Sequence, residues 1–250
     1  MKPAWTNVWI TGASSGIGRQ LAIDLADSGC NVAVSARSHD ALNALAATNP
    51  NIRNYPLDVT NGEDVENVVA SIAEDLGPID LVVIAAGVWI IRDVSDFTAA
   101  DSIKAMRVNY EGAVNVIAAV LPAMRARKKG HIAPIASVAG YRGIPRAVTY
   151  APTKAALIAM AESLRTDAAQ YGITVQVINP GFVKTPMTDT NDFPMPFIIS
   201  PEEASRHIID GLATNRFEVV FPWKLTLAMK VLRILPYRLY FWLSGKFMQR

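Results

Sequence analysis

Apolar and polar positions follow two different periods along this chain. Short runs rich in β-branched residues are separated by longer segments in which apolar residues recur every three or four positions. The short runs predict strands and the longer segments predict helices. The predicted strands are residues 7–11, 31–36, 53–56, 81–85, 131–136, 174–179 and 218–221, and the clearest predicted helices are 16–28, 64–76, 102–127 and 149–171.

Strands that alternate with helices in this way indicate a parallel sheet covered by helices on both faces. A chain of 250 residues is long enough for one such domain and short for two. We therefore expect an α/β fold, a doubly wound parallel sheet of about seven strands, over residues 1–221. Residues 222–250 should form an amphipathic helical extension that is not an independent domain.

A glycine-rich turn connects the first predicted strand to the first predicted helix. Glycines permit a tight turn and a close approach of the backbone to a pyrophosphate, whose charge the helix N-terminus stabilises. The position between strand and helix distinguishes this turn from an ordinary glycine-rich loop. It predicts a Rossmann-like dinucleotide site with contacts from Gly12, Ser14, Ser15, Gly16, Ile17 and Gly18.

The residues after the second predicted strand bear on which dinucleotide binds. An NAD site usually places an acid there, whereas this chain has Ala36, Arg37 and Ser38. Arg37 can hold a 2′-phosphate and stack on adenine, so NADP(H) is favoured and NAD(H) stays possible. The alternative is that Arg37 is a solvated surface residue. Asp58, next to Val59, is expected to hydrogen-bond the adenine amino group.

Tyr150 and Lys154 are the candidate acid/base pair. Their spacing of four places both side chains on one face of a predicted helix, and Pro152 is tolerable near its first turn. A tyrosine pKa near ~10 is too high for efficient proton transfer at neutral pH. We expect the neighbouring ammonium to lower the pKa of Tyr150, which makes it a general acid toward a carbonyl or a base toward an alcohol.

Five motifs, in one order, make the chain resemble the short-chain dehydrogenase/reductase family over about residues 7–187. They are the glycine turn at 11–18, Asn109, Ser137, the pair Tyr150/Lys154, and Asn179-Pro180-Gly181 with Thr185. The resemblance implies that Ser137 polarises the substrate carbonyl and that Lys154 holds the nicotinamide ribose. It also implies that Asn109 positions a water linking Lys154 to solvent.

The resemblance implies further contacts on both sides of the reacting atoms. Expected additional cofactor contacts are Val59, Ala86, Gly87, Asn109, Tyr150, Lys154, Pro180, Gly181, Val183 and Thr185, and expected substrate contacts are Ser137, Val138, Tyr141, Tyr150, Phe182 and Met187. The chain departs from the family at Ala85, where an asparagine is usual. Pro134 inside the fifth predicted strand is a second departure, for which a bulge is the expected accommodation.

The loops after the fourth to sixth predicted strands are apolar, notably 88–91 and 193–199, although half of these residues could simply pack in the core. We expect a hydrophobic ketone or alcohol as substrate and a homodimer or homotetramer as the assembly. The alternative is a non-catalytic NADP(H)-binding regulator, which the presence of all four active-site residues disfavours. No basic-aromatic face for nucleic acid is present outside the end of the chain.

Charge is unevenly distributed along the chain. From residue 216 onward there are seven basic residues and one acid, although the whole chain is only +2, so the rest is mildly acidic. Tryptophan, tyrosine and basic residues beside leucines in 222–250 suit a membrane surface, but a subunit contact or a pocket cover is favoured, because such stripes are often core. One cysteine, three scattered histidines and no apolar signal segment predict no disulfide, no metal and a cytoplasmic protein, with peripheral contact at the inner membrane surface as the open alternative.

Overall fold

A computed structural model describes residues 5–248, with side chains to residue 245; Arg250 and the side chain of Lys246, both in the predicted basic tail, lie outside the described part. The strands are β1 (Asn7–Thr11), β2 (Asn31–Ser35), β3 (Ile52–Asn54), β4 (Leu81–Ile84), β5 (Gly130–Pro134), β6 (Ile173–Val175), β7 (Val177–Pro180) and β8 (Glu218–Phe221). The α-helices are α1 (Gly16–Asp27), α2 (His39–Ala46), α3 (Gly62–Leu76), α4 (Ala99–Met106), α5 (Gly112–Ala126), α6 (Ala151–Ala169), α7 (Pro201–Leu212), α8 (Trp223–Ile234) and α9 (Tyr237–Met248).

The predicted doubly wound parallel sheet is confirmed. Six parallel strands follow the order β3-β2-β1-β4-β5-β6, and β7 pairs with β8 in a small second parallel sheet. The order reverses between β1 and β4, and an open α/β sheet forms its ligand crevice at such a switch point, beyond the carboxyl ends of the strands.

The sheet is buried on both faces. In β1, Trp9 and Ile10 belong to two different buried clusters, and in β4 so do Val82 and Val83. Successive strand side chains point to opposite faces, so each cluster fills the space between one face and the helices that cover it. Burial on both faces explains why these strands are continuous apolar runs.

The predicted strand 174–179 is divided in two at Gln176. The Gln176 N–H donates to the Ile132 carbonyl at 3.0 Å, and the Ala136 N–H donates to the Ile178 carbonyl at 2.7 Å. Pro134 lies between Ile132 and Ala136 and has no N–H to donate, so the hydrogen-bond ladder is interrupted there. The sequence predicts a bulge at Pro134, whereas the structure has a break in the neighbouring strand, between β6 and β7.

The predicted helix 102–127 is also divided. A π-helical segment, residues 107–111, separates α4 from α5 and contains the buried Asn109. A π-helical turn inside a helix often marks a functional position. Pro152 lies at the start of α6, where its missing N–H costs no helical hydrogen bond, as expected.

The last two helices pack on the body of the protein through a few buried side chains. Thr226 and Met229 of α8 are buried, and the buried Tyr240 of α9 donates its hydroxyl to the Gly143 carbonyl. Within residues 5–248, no helix combines the length and the apolar character that crossing a bilayer requires.

Candidate active site

A cavity of about 990 Å³ opens at the carboxyl ends of the parallel strands, where the sheet order reverses. It is lined by every predicted site residue except Asn109 and Tyr141, namely Gly12, Ser14, Ser15, Gly16, Ile17, Gly18, Arg37, Ser38, Asp58, Val59, Ala86, Gly87, Ser137, Val138, Tyr150, Lys154, Pro180, Gly181, Phe182, Val183, Thr185 and Met187. One concave site therefore joins segments that are far apart in the chain.

The glycine turn is shaped as a cradle for an anionic group. Gly12 and Gly16 have φ angles of +70° and +56°, and a Cβ on Gly12 would lie 2.5 Å from the Ala86 nitrogen. A Cβ on Gly18 would lie 2.6 Å from the Gly12 carbonyl oxygen. Helix α1 begins beside the cavity with no acidic residue in its first turn, so its N-terminal dipole is available to a pyrophosphate.

The far end of the cavity carries the residues expected to bind the adenosine half. Arg37 is exposed at the rim, and Ser38 caps α2 by accepting from the Ala41 N–H at 3.4 Å. The Asp58 carboxylate accepts from the Thr60 N–H at 3.0 Å and from its hydroxyl at 2.8 Å. These bonds, with a contribution from the Arg37 charge, hold the pKa of Asp58 below its usual value.

Thr11 holds the backbone at Ala85 and Ala86, where the family has an asparagine at the first of the two positions. The Ala85 N–H donates to the Thr11 carbonyl at 3.2 Å, and the Ala86 N–H donates to the Thr11 hydroxyl at 3.4 Å. The ends of β1 and β4 are therefore tied together without an asparagine side chain. The departure from the family at Ala85 leaves this edge of the cavity ordered.

Asn109 lies behind the cavity wall and connects two of its elements. Its side-chain oxygen accepts from the Val88 N–H at 2.7 Å, and its nitrogen donates to the Val88 carbonyl and to the Thr153 hydroxyl, both at 3.0 Å. The loop after β4 is thereby fixed to the start of α6. The water-positioning role of Asn109 stays a prediction, whereas this link could not be seen in the sequence.

Three predicted catalytic side chains meet at the centre of the cavity. The Lys154 Nζ lies 5.4 Å from the centre of the Tyr150 ring and donates to the Ile135 carbonyl at 2.8 Å. The Ser137 hydroxyl accepts from the Ala139 N–H at 3.1 Å and donates to the Pro180 carbonyl at 3.4 Å. Tyr150 immediately precedes α6 and Lys154 lies in its first turn, which explains why a spacing of four brings them together.

The pKa of Tyr150 is raised, so the expectation that Lys154 lowers it is wrong for this structure. Burial raises the pKa of Tyr150 well above its usual value, and the interaction with Ser137 lowers it by less. Burial also lowers the pKa of Lys154 to about 8. Both charged forms are disfavoured where water is excluded, and burial is the largest influence on the pKa of each group.

Trp89 connects the candidate acid to a loop that borders the cavity, which we call the lid, residues 186–199. Its ring meets the Tyr150 ring edge-to-face with centres 4.6 Å apart, and its Nε1 donates to the Asn191 side-chain oxygen at 2.8 Å. Arg146 and Asp192 form a second, two-bond link to the lid at 2.7 and 3.1 Å. The apolar loop 88–91 indicates Trp89 as a candidate site residue in the sequence. Its partner in the lid, Asn191, is about a hundred residues away, so the sequence could not indicate the contact.

Tyr141 is not in the cavity, so the predicted substrate contact is not found. Its ring is buried, and its hydroxyl donates to the Glu218 carboxylate. The same carboxylate accepts from Asn179 at 2.7 Å and from Lys230 at 2.5 Å. Burial opposes the charge of Glu218, but the donors Lys230, Tyr141 and Asn179 outweigh it and keep its pKa below the usual value.

Helix α8 contributes to the cavity wall. Leu225 and Met229 line the cavity, and a Cβ on Gly181 would lie 2.6 Å from Leu225 Cδ2. The sequence left three roles open for the tail: a membrane contact, a subunit contact or a cover for the pocket. The inner face of α8 fulfils the third role, because it forms part of the cavity wall.

The sheet, the glycine turn and the tyrosine–lysine pair define the class, an α/β oxidoreductase with a dinucleotide-binding fold. The family described as short chain dehydrogenase matches residues 6–193, and the chain belongs to this family. An uncharacterized oxidoreductase of Myxococcus xanthus is 36% identical over 231 residues, which are 91% of each chain.

Solved structures agree with this assignment. A short-chain dehydrogenase from Streptomyces avermitilis is 26% identical with a TM-score of 0.80, and the match covers 90% of this chain and 92% of that one. An actinorhodin polyketide ketoreductase solved with NADPH is 25% identical, also with a TM-score of 0.80, and the match covers 88% of this chain and 97% of the ketoreductase.

Proposed function

We propose that this protein is an NADPH-preferring carbonyl reductase that converts a hydrophobic ketone to a secondary alcohol. The observation that carries the proposal is a single cavity in which the glycine turn and Arg37 occupy one part, and Ser137, Tyr150 and Lys154 occupy another. The glycine positions fit a dinucleotide because side chains there would collide with the backbone. The bound nicotinamide would supply the hydride.

In this proposal the protein orients the ketone and delivers the proton. The Ser137 hydroxyl leaves its long bond to the Pro180 carbonyl and donates to the substrate carbonyl oxygen. The Tyr150 hydroxyl transfers its proton to the same oxygen as negative charge develops there. Lys154, anchored on the Ile135 carbonyl, stands behind the phenol and holds the cofactor ribose.

The protonation state of Tyr150 suits the reductive direction. A phenol is protonated at neutral pH even at its ordinary pKa, so Tyr150 is in the form that an acid catalyst needs, and the rise in its pKa caused by burial makes it a weaker acid. An alkoxide is a far stronger base than a phenolate, so transfer of the proton to the product oxygen remains downhill. Oxidation of an alcohol would instead require the phenolate, which the buried site disfavours.

Two observations support the cofactor and substrate classes. The end of β2 offers Arg37 and no carboxylate, which suits a 2′-phosphate, and the ketoreductase solved with NADPH has the same fold. Around the catalytic centre the lining is mainly apolar, with Trp89, Phe193 and Leu225 contributing large side chains. A ketone without charged groups is the substrate that such a wall accepts.

The test compares Tyr150→Phe with wild type in NADPH oxidation, using a bicyclic ketone such as decalone and the small hydrophilic ketone dihydroxyacetone. We expect decalone to be the better substrate and the variant to lose about 10²- to 10⁴-fold in kcat. NADPH binding, followed by nicotinamide fluorescence, should be unchanged. Tyr171→Phe makes the same change in the turn after α6, outside the cavity lining, and should leave kcat intact.

Each part of the proposal has its own contradicting result. Full turnover by the Tyr150→Phe variant contradicts the proton-transfer role. Preference for dihydroxyacetone contradicts the substrate class alone. NADPH binding without turnover of any ketone would favour the non-catalytic regulator.

A further inference from the structure

Helix α8 has a second apolar face that points away from the cavity. Thr226 and Met229 are buried, whereas a stripe that we call the outer stripe, Trp223, Leu227, Val231 and Ile234, is exposed. At about 100° per residue the outer stripe spans less than a quarter of the helix circumference, opposite the buried face. Ile234 is 79% exposed and Leu227 is 55% exposed, so this face is not used by the described fold.

Basic residues border the outer stripe on both sides. On a helical wheel, Lys224 lies next to one edge of the outer stripe and Lys230 lies next to the opposite edge. The Lys224 Nζ lies 5.8 Å from the ring centres of both Trp223 and Phe197. Lys230 is paired with the Glu218 carboxylate, but the sequence contains no Asp or Glu after Glu218, so no acid within residues 222–250 balances the charge of Lys224.

The apolar surface continues from α8 toward the cavity. Phe197 and Ile198 of the lid are exposed, and Lys224 bridges Phe197 to the beginning of the outer stripe. Met187 both lines the cavity and is exposed at its edge. An object that covers the outer stripe would therefore lie close to the cavity opening.

We propose that the outer stripe of α8 docks the protein on an anionic lipid surface, with the helix lying flat at the headgroup level. Large apolar side chains beside the basic Lys224 are what an interfacial helix presents to such a surface. A second copy of the chain is less suitable. A symmetric contact through this face would bring two copies of Lys224 into one interface, and residues 222–250 contain no acid to pair with them.

The test is flotation of the full-length protein with vesicles of phosphatidylcholine alone and with vesicles containing about one third phosphatidylglycerol. We expect binding to the anionic vesicles only, and less binding at high salt because screening weakens the attraction. Leu227→Glu combined with Ile234→Glu should lower the bound fraction by about tenfold or more. Ile103→Glu is the matched control, since Ile103 is also a helical residue and is also 55% exposed.

NADPH oxidation is measured for every variant, because the outer stripe does not line the cavity and folded variants should retain their rate. Three results would overturn the proposal: no binding of the wild type to anionic vesicles, equal binding by the double variant, or equal loss in the Ile103→Glu control. If the wild type never floats with vesicles and the double variant differs from it in oligomer mass, the outer stripe contacts a second copy of the chain.

Discussion

Lys154 shows how burial sets the chemistry of a single residue. Its ammonium is surrounded by protein, donates to the Ile135 carbonyl and has its pKa lowered to about 8 by burial. In the unfolded chain the same group would have its ordinary pKa near ~10.4. The folded protein therefore releases a proton that the unfolded chain still holds in the interval between these two values.

A pH-dependent stability follows from this difference. Because unfolding takes up a proton between about pH 8 and about pH 10, the contribution of Lys154 to the free energy of unfolding rises with pH, by up to about 1.4 kcal/mol per pH unit. Urea unfolding of the ligand-free protein should show this rise in wild type relative to Lys154→Met. Lys104→Met, an exposed lysine on α4, is the control.

The comparison must allow for groups with the opposite effect. Burial raises the pKa of Cys30 to about 11 and that of Tyr55 to about 12, so their folded forms keep protons that the unfolded chain loses. Their contribution falls with pH, but it is shared by wild type and variant and cancels in the difference. Parallel stability curves for wild type and Lys154→Met would contradict the lowered pKa.

At the scale of elements, Glu218 fastens α8 to the body of the protein. Its carboxylate, on β8, receives Tyr141 from the turn after β5, Asn179 from β7 and Lys230 from α8. A glutamine in its place could accept from Tyr141 and Asn179 with its one oxygen, but its amide nitrogen would then face the Lys230 ammonium, which also needs an acceptor. The network is therefore specific for a carboxylate.

Glu218→Gln should lower the free energy of unfolding by about 1–3 kcal/mol, because the charge-assisted bonds to the carboxylate are lost and the Lys230 ammonium faces an amide nitrogen. The measurement is the urea midpoint at neutral pH, with Glu203→Gln, a half-exposed glutamate on α7, as the matched control. Because α8 supplies Leu225 and Met229 to the cavity wall, KM for the ketone should rise as well. Equal midpoints for Glu218→Gln and wild type would show that the network adds nothing to stability.

Elements also show which parts of the site a sequence can predict. The glycine turn and the Tyr150/Lys154 pair are local patterns, so spacing alone places them correctly relative to a strand and a helix. Tyr141 was misplaced because its direction depends on the 3₁₀ turn 138–140 and on Glu218, which is far away in sequence. Leu225 and Met229 could not be found, because only tertiary packing decides which face of α8 borders the cavity.

At the scale of the whole molecule, the cavity joins segments that begin at Gly12 and end at Met229. A ligand that contacts all of them binds the folded state alone and stabilises the entire fold. Only the 2′-phosphate distinguishes NADPH from NADH. The difference in stabilisation by the two cofactors therefore measures the contact between Arg37 and that phosphate, and no turnover assay is needed. Assembly as a homodimer or homotetramer stays a prediction.

NADPH at about a hundred times its Kd should add about 2.7 kcal/mol to the free energy of unfolding and raise Tm by roughly 5–10 °C for a protein of this size. NADH at the same concentration should raise Tm by less, and Arg37→Ala should remove most of the difference between the two cofactors, because the 2′-phosphate loses its charged partner. Arg19→Ala removes an exposed arginine of α1 that does not line the cavity and should change neither shift. If wild type were stabilised equally by both cofactors, Arg37 would be a solvated surface residue and the NADPH preference would fail, while the reductase chemistry at Tyr150 would still stand.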